Sequence, residues 1–176
     1  MQFDRDKFKA LVHYVIWRAG GRDGIGATKL YKVLWFAEAR AFVLSNRPIS
    51  GETYIREEDG PSPRHAAEIT HELESEGAIR PWSDQQSPMR RFTALRAPDA
   101  STLIDDHRKI IEYWIARVDA DRTAISTGEA SHDAAWEIAT PGEELPYIAL
   151  LATRIREPRG KELEWAKSRT EDFGTV

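Results

Sequence analysis

The segment Lys29-Leu30-Tyr31-Lys32-Val33-Leu34-Trp35-Phe36-Ala37-Glu38-Ala39 lies within a longer run, Thr28 to Ser45, whose apolar residues return at helical spacing. Leu30, Val33, Leu34, Ala37, Ala41 and Leu44 form one stripe; Tyr31, Trp35 and Phe42 add a second face. A helix that is apolar on two faces packs on more than one side, so this run predicts the centre of the fold. Asn46 and Pro48 predict its end.

On the N-terminal side, Phe8, Leu11, Val12, Val15 and Ile16 predict a first helix, with Asp4 and Asp6 near its positive end and Gly20-Gly21 closing it. On the other side, 49–60 reads as a linker with an extended piece at Thr53-Tyr54-Ile55. Gly60-Pro61-Ser62-Pro63 then turns the chain. Ser62 suits an N-cap and Pro63 a first helical position, which predicts a third helix from there to Glu76. Its buried stripe, Ala66, Ile69 and Leu73, is narrow, so one side should stay open.

Residues 78–97 read as a hairpin with Phe92 and Leu95 inward, interrupted by Pro81 and Pro88. A fourth helix, Ser101 to Ala120, carries Leu103, Ile104, His107, Ile111, Trp114, Ile115 and Val118 on one stripe. Beyond it, a short helix from Ser131 to Ala139 anchored by Trp136, a helix from Leu145 to Ile155 and a charged helix from Lys161 to Arg169 are expected, with 171–176 frayed. No repeat or clear linker divides the chain. The expectation is one domain over 1–176, with a core of about 4–155 and a charged helix and tail over 156–176. The predicted class is mainly α with a small β hairpin, in a winged-helix-like order.

Composition narrows the functions. The 176 residues carry 25 Lys+Arg against 29 Asp+Glu, a formal charge of −4, with 41% apolar residues, as one globular domain does. The slight acidity argues against a protein that coats nucleic acid. No apolar stretch is long enough to span a membrane, and the first residues lack a secretory pattern, so a cytoplasmic chain is expected. The absence of cysteine removes disulfides, thiolate metal sites and thiol nucleophiles.

Catalytic patterns are weak. His71-Glu72-Leu73-Glu74-Ser75 begins like a zincin helix but lacks the second histidine. His107 lies on an apolar stripe, where a core histidine satisfied by a neighbour is the simple reading. Gly20-Gly21-Arg22-Asp23-Gly24-Ile25-Gly26 follows a helix and lacks a Gly-Lys-Ser/Thr ending, so it reads as a flexible connection rather than a phosphate loop. No metal or cofactor and no enzymatic activity are expected. For DNA binding, Arg80, Arg90, Arg91 and Arg96 make the hairpin basic, but Glu68, Glu72, Glu74 and Glu76 make the third helix a poor groove reader.

The Lys29–Ala39 stretch resembles the opening Lys-Leu-x-Lys-Leu-Leu-Tyr-Phe-Ala-x-Ala run of the Panacea domain family, the SocA-like antitoxins. Asn46-Arg47-Pro48-Ile49 and Asp59-Gly60-Pro61-Ser62-Pro63 are similar to its next two landmarks. Here Asp59 replaces an aromatic and the prolines are closer together. Ser131-His132-Asp133, Trp136, Ala139 and Gly142-Glu143-Glu144-Leu145-Pro146-Tyr147 are similar to a C-terminal motif of one branch. The resemblance implies a bacterial, non-enzymatic protein that neutralises a protein toxin by direct binding, or as an adaptor that delivers it to a protease. Leu30, Leu34, Trp35, Ala37, Gly60, Pro61, Trp136 and Tyr147 read as structural motif residues. Tyr54, Arg56, Arg64 and His65 around the turn, with Arg90 and Arg91 on the hairpin, are the exposed candidates for partner contact. A DNA-binding regulator is the second reading.

Overall fold

The structure, a computed structural model, describes residues 2–21, 23–84, 87–120, 133–154 and 160. Helix α1 spans Arg5–Ala19 and α2 Ala27–Ser45, joined through a two-residue strand β1, Ile25–Gly26. The Asp4 carboxylate caps α1 by accepting from the Lys7 N–H at 3.0 Å. Asn46, at φ 59°, stops α2 in the left-handed conformation, and its N–H returns to the Phe42 carbonyl at 2.7 Å. Helix α2 is the axis of the core: Leu30, Leu34, Trp35 and Ala37 are fully buried. Leu44, expected on its stripe, is exposed because it lies in the last turn, beyond the packed neighbours.

The segment after α2 departs from the sequence reading. Gly60–Pro63 does not start a helix; it is strand β3, paired antiparallel with β2, Tyr54–Glu57. The two prolines survive in a ladder because their partners face elsewhere. Tyr54 and Arg56 stand opposite Pro63 and Pro61, and turn their backbone groups toward residues 142–145. Leu145 N–H donates to the Tyr54 carbonyl, Gly142 N–H to the Arg56 carbonyl and Arg56 N–H to the Glu143 carbonyl, each at 2.8 Å. No ladder donor is therefore required of either proline. Helix α3 starts later than expected, at Ala66, and runs to Ser75.

The expected hairpin is present as β4, Ile79–Asp84, and β5, Ser87–Ala94. It is joined by β1 into a three-stranded sheet of order β1-β5-β4, with Ile25 opposite Phe92. Gly24 makes this junction feasible: at φ +63° a side chain there would be strained, and its Cβ would lie 2.8 Å from the Phe92 carbonyl oxygen. Pro81 lies on β4, an edge strand, where a missing N–H is tolerated. Phe92 points inward as expected, whereas Leu95 is exposed, one residue past the end of β5.

Helix α4 spans Asp105–Ala120, starting later than expected; Ser101 and Thr102 form a turn before it, and Ile104, outside the helix, is exposed. His107 Nδ1 is buried without a hydrogen-bond partner among the described residues, so the expected satisfied core histidine is not what forms. Burial lowers its pKa. Beyond α4 the described residues form α5, Ala134–Ile138, capped by Asp133, and a 3-10 helix over Tyr147–Arg154 in place of the α-helix expected there. Ser131, His132, Ile155, the helix expected over 161–169 and the frayed end over 171–176 lie outside the described residues. The described residues are thus helix-dominated with two small antiparallel sheets, one more than the sequence reading gave, because β2 and β3 find each other only across a turn and against 142–145.

Candidate partner-binding face

The candidate residues near the Gly60-Pro61 turn sit on a composite of three segments distant in sequence. Strands β2 and β3 form the middle, residues 139–147 close one side and the start of α3 closes the other. An aromatic cluster fixes this composite to α2. The Trp35 ring lies 5.1 Å from Tyr54 and 5.4 Å from Tyr147, and Tyr147 lies 5.6 Å from Phe42. Trp35 Nε1 donates to Asp133 Oδ2 at 3.0 Å, and so ties α2 to the cap of α5. Buried rings in this tilted geometry add to the energy of area burial, and together they join α2, β2 and the segment that carries Tyr147.

Tyr54 is therefore not an exposed contact residue: it is fully buried, and alternation along β2 places it beneath the sheet. Its hydroxyl has no hydrogen-bond partner among the described residues. Arg56 is only half-buried but is engaged within the fold. Its guanidinium lies 4.7 Å over the Trp136 ring and donates to the carbonyls of Trp136 at 3.1 Å and Ala139 at 2.5 Å. His65 stacks on Phe3 at 4.5 Å, and its Nδ1 lies 3.0 Å from a Glu52 carboxylate oxygen. Arg64 is the exposed member; it reaches across to Glu144 at 2.6 Å. Ile138 and Glu143 in the adjoining segment are also exposed, and Glu57, Glu58 and Asp59 are exposed at the opposite end of the hairpin, where β2 turns into β3. A shallow cleft of about 260 Å³ adjoins the turn, between the first turns of α2 and Gly60-Pro61-Ser62.

Arg90 and Arg91 lie apart from this face, and successive positions on β5 send them to opposite sides. Arg90 shares a side with Phe92, lies 5.2 Å over its ring and is 3.7 Å from Glu74. Arg91 crosses β1, donates to the carbonyls of Asp23 at 2.6 Å and Gly24 at 2.8 Å, and lies 5.5 Å over Trp82. Helix α3 is similarly engaged. Arg5 pairs with Glu68 and Glu72, and Lys9 with Glu72 and Glu76. The hydrogen bonds from Arg5 and Lys9 hold the Glu72 carboxyl down to about 2.

Two acidic residues central to this region went unremarked in the sequence. Glu38 and Glu52 are fully buried. Glu38, on α2, accepts from the Ser50 N–H at 3.0 and 3.1 Å and from the Ser50 hydroxyl, and so clamps the loop between α2 and β2. That loop in turn seats the N-terminus: Asp4 N–H donates to the Ser50 carbonyl at 2.8 Å. Burial pushes the Glu38 carboxyl up to about 7 against the pull of these donors, and raises Glu52 against the hydrogen bond from His65. The available signal for Glu38 was a carboxylate inside the apolar run Trp35-Phe36-Ala37-Glu38-Ala39.

A helical core clamped to a turn-bearing sheet by buried carboxylates and aromatics is a rigid scaffold with a polar, largely acidic exposed rim. The chain belongs to the antitoxin SocA-like family, Panacea domain, whose model matches residues 30–137. The matched span runs from α2 through α5, and so contains both strands of the turn and the hairpin. Neither the comparison with curated proteins nor that with solved structures returned a match. Among the described residues, no helix is long and apolar enough to cross a membrane.

Proposed function

We propose that this protein is a non-enzymatic antitoxin that neutralises a partner toxin by direct protein binding, through the exposed rim of the Gly60-Pro61 turn. Membership of the SocA-like antitoxin family is the observation that carries this reading. The geometry supports this location. Arg64 and the neighbouring carboxylates are presented on a sheet whose strands are pinned from both sides, so binding there would order few new groups and lose little entropy. Arg56 and His65 serve this face by holding it in shape rather than by touching the partner.

The second reading is a winged-helix-like DNA-binding regulator. The order α1-β1-α2 followed, after the inserted β2-β3 pair, by α3-β4-β5, with β1 beside β5, favours it. The charge distribution disfavours it. Arg90 and Arg91 are turned to internal carbonyls, rings and a carboxylate, and α3 presents glutamates where phosphate would approach.

Co-expression with the protein encoded next to this chain tests the first reading. A restored growth rate and a stable co-purifying complex are expected, and Arg64→Glu should abolish both while the melting temperature is kept. An unchanged rescue by Arg64→Glu would move the contact elsewhere. If the toxin's half-life falls on co-expression instead of a complex accumulating, the protein acts as a protease adaptor. A salt-sensitive, sequence-specific shift of promoter DNA by the isolated protein would favour the second reading.

A further inference from the structure

Helix α2, with 19 residues, begins without a cap of its own. Its N-cap residue, Gly26, has no side chain to accept from the first N–H groups, and its first turn carries no acidic residue. Those N–H groups stand at the positive end of the helix, where an acceptor is favoured.

A sulfur from β5 lies at this helix end instead. A Cβ added at Gly26 would stand 2.7 Å from Met89 Sδ, so the thioether occupies the space into which a capping side chain would extend. The strand register explains the encounter. Arg91 pairs with Gly26, and Met89 lies two positions earlier on the same side of β5, which brings it over Thr28, the second residue of α2. A capping group accepts from the N–H of the second or third helical residue, here Thr28 or Lys29. Met89, Gly26 and Thr28 line one cavity of about 530 Å³, and Met89 is 44% exposed, so a small solute reaches this corner. The chain's other methionine is Met1, and it has no cysteine to compete for an oxidant. A thioether is a weak acceptor, whereas oxidation makes it a polar sulfoxide.

We propose that Met89 is a site of reversible oxidation whose sulfoxide oxygen caps α2. A peroxide supplies that oxygen. The sulfur lone pair attacks it, the O–O bond breaks and the S–O bond forms. Sulfur loses two electrons, and the peroxide, reduced by them, leaves as water or an alcohol. The new oxygen carries partial negative charge and accepts from the Thr28 or Lys29 N–H, where the helix dipole favours it. Methionine sulfoxide reductases run the return step: their thiols supply two electrons, and the oxygen leaves as water. Nothing in this depends on the antitoxin reading.

The test treats the full, isotope-labelled chain with hydrogen peroxide and locates the added oxygen by peptide mass mapping. Met89 should gain it. Amide exchange at Thr28 or Lys29 should then slow by about fivefold, the effect of a typical cap. Oxidation yields two sulfoxide epimers, and each reductase removes one, so applying them singly should trace the slowing to one epimer. Applying both should restore the original rate. Met89→Leu, which keeps the apolar bulk and retains Met1, should show no change in exchange on peroxide treatment. The comparison of oxidised with re-reduced parent decides the matter even if Met89→Leu fails to fold. The proposal is overturned if Met89 resists peroxide that oxidises free methionine, or if exchange at both positions is unchanged or faster in each epimer. A slowing that also appears in peroxide-treated, folded Met89→Leu would overturn it as well.

Discussion

Arg56 lies with its guanidinium 4.7 Å above the ring of Trp136, eighty positions away in the chain, and donates to the carbonyls of Trp136 and Ala139. This one side chain locks β2 to the segment that carries α5. It explains how a two-stranded sheet and a five-residue helix, each too small to persist alone, form one surface.

Arg56→Ala should therefore cost about 2–3 kcal/mol, from a stacked cation and two charge-assisted hydrogen bonds to carbonyls. Arg56→Lys should recover little of it, because an ammonium cannot reproduce the planar fork. Urea denaturation of both variants checks this, and equal stability of Arg56→Lys and the parent would refute the geometry.

Trp35 joins Tyr54, Tyr147 and Asp133 in one cluster, so Trp35→Ala should cost about 3–5 kcal/mol, as buried aromatic truncations do. Trp35→Phe keeps most of the ring and loses the bond to Asp133, so a cost nearer 1–2 kcal/mol is expected, roughly that of a hydrogen bond to a carboxylate plus a small void. A melt unmoved by Trp35→Ala would place the core elsewhere.

Tyr54 gives the opposite expectation for a small change. Its hydroxyl is buried without a hydrogen-bond partner among the described residues, so Tyr54→Phe removes a desolvated polar group and leaves the ring. Stability should hold or rise by up to about 1 kcal/mol. Tyr54→Ala, by contrast, should lose toxin rescue by unfolding. Calorimetry and co-expression on the pair separate a structural role from a contact role.

The Glu38 carboxyl, raised to about 7 by burial, sets a pH dependence whose sign can be worked out. Its folded pKa lies above the ordinary value of 4.5, so the fold favours the protonated form. The stabilisation is complete below 4.5 and is lost as pH rises through about 7, a change on the order of 3 kcal/mol. His13 and His107, whose pKa values burial lowers, act in the reverse sense as pH rises through their range. Comparison with Glu38→Gln isolates the carboxyl. The parent should lose stability relative to the variant between pH 5 and pH 8, read by urea midpoints at each pH. Parallel midpoints across that range would show that Glu38 is ionised in the fold at both ends.

The long elements were legible because their determinants are local. A helix bonds each residue to one four positions away, so the stripes of α1, α2 and α4 and the stop at Asn46 could be read along the chain. The hairpin was legible for the same reason, as two neighbouring strands. The family motif was legible too, since most of its residues, such as Leu30, Leu34, Ala37 and Tyr147, fill the core around α2.

What the tertiary structure decided was every feature that depends on a distant partner. Pro-Ser-Pro could read as a helix start until β2 and the 142–145 segment supplied a ladder that asks nothing of the prolines. Tyr54 looked free because its covering residues, Trp35 and Tyr147, are far from it in sequence. Arg56 and Arg91 looked available for a partner until carbonyls at 136, 139, 23 and 24 took their donors. Glu38 drew its altered acidity from a loop that folds back over α2. The chain alone fixes periodicity, which is written in nearest neighbours. Burial, charge pairing and acidity follow from which segments meet, and those contacts form only as the chain closes on itself.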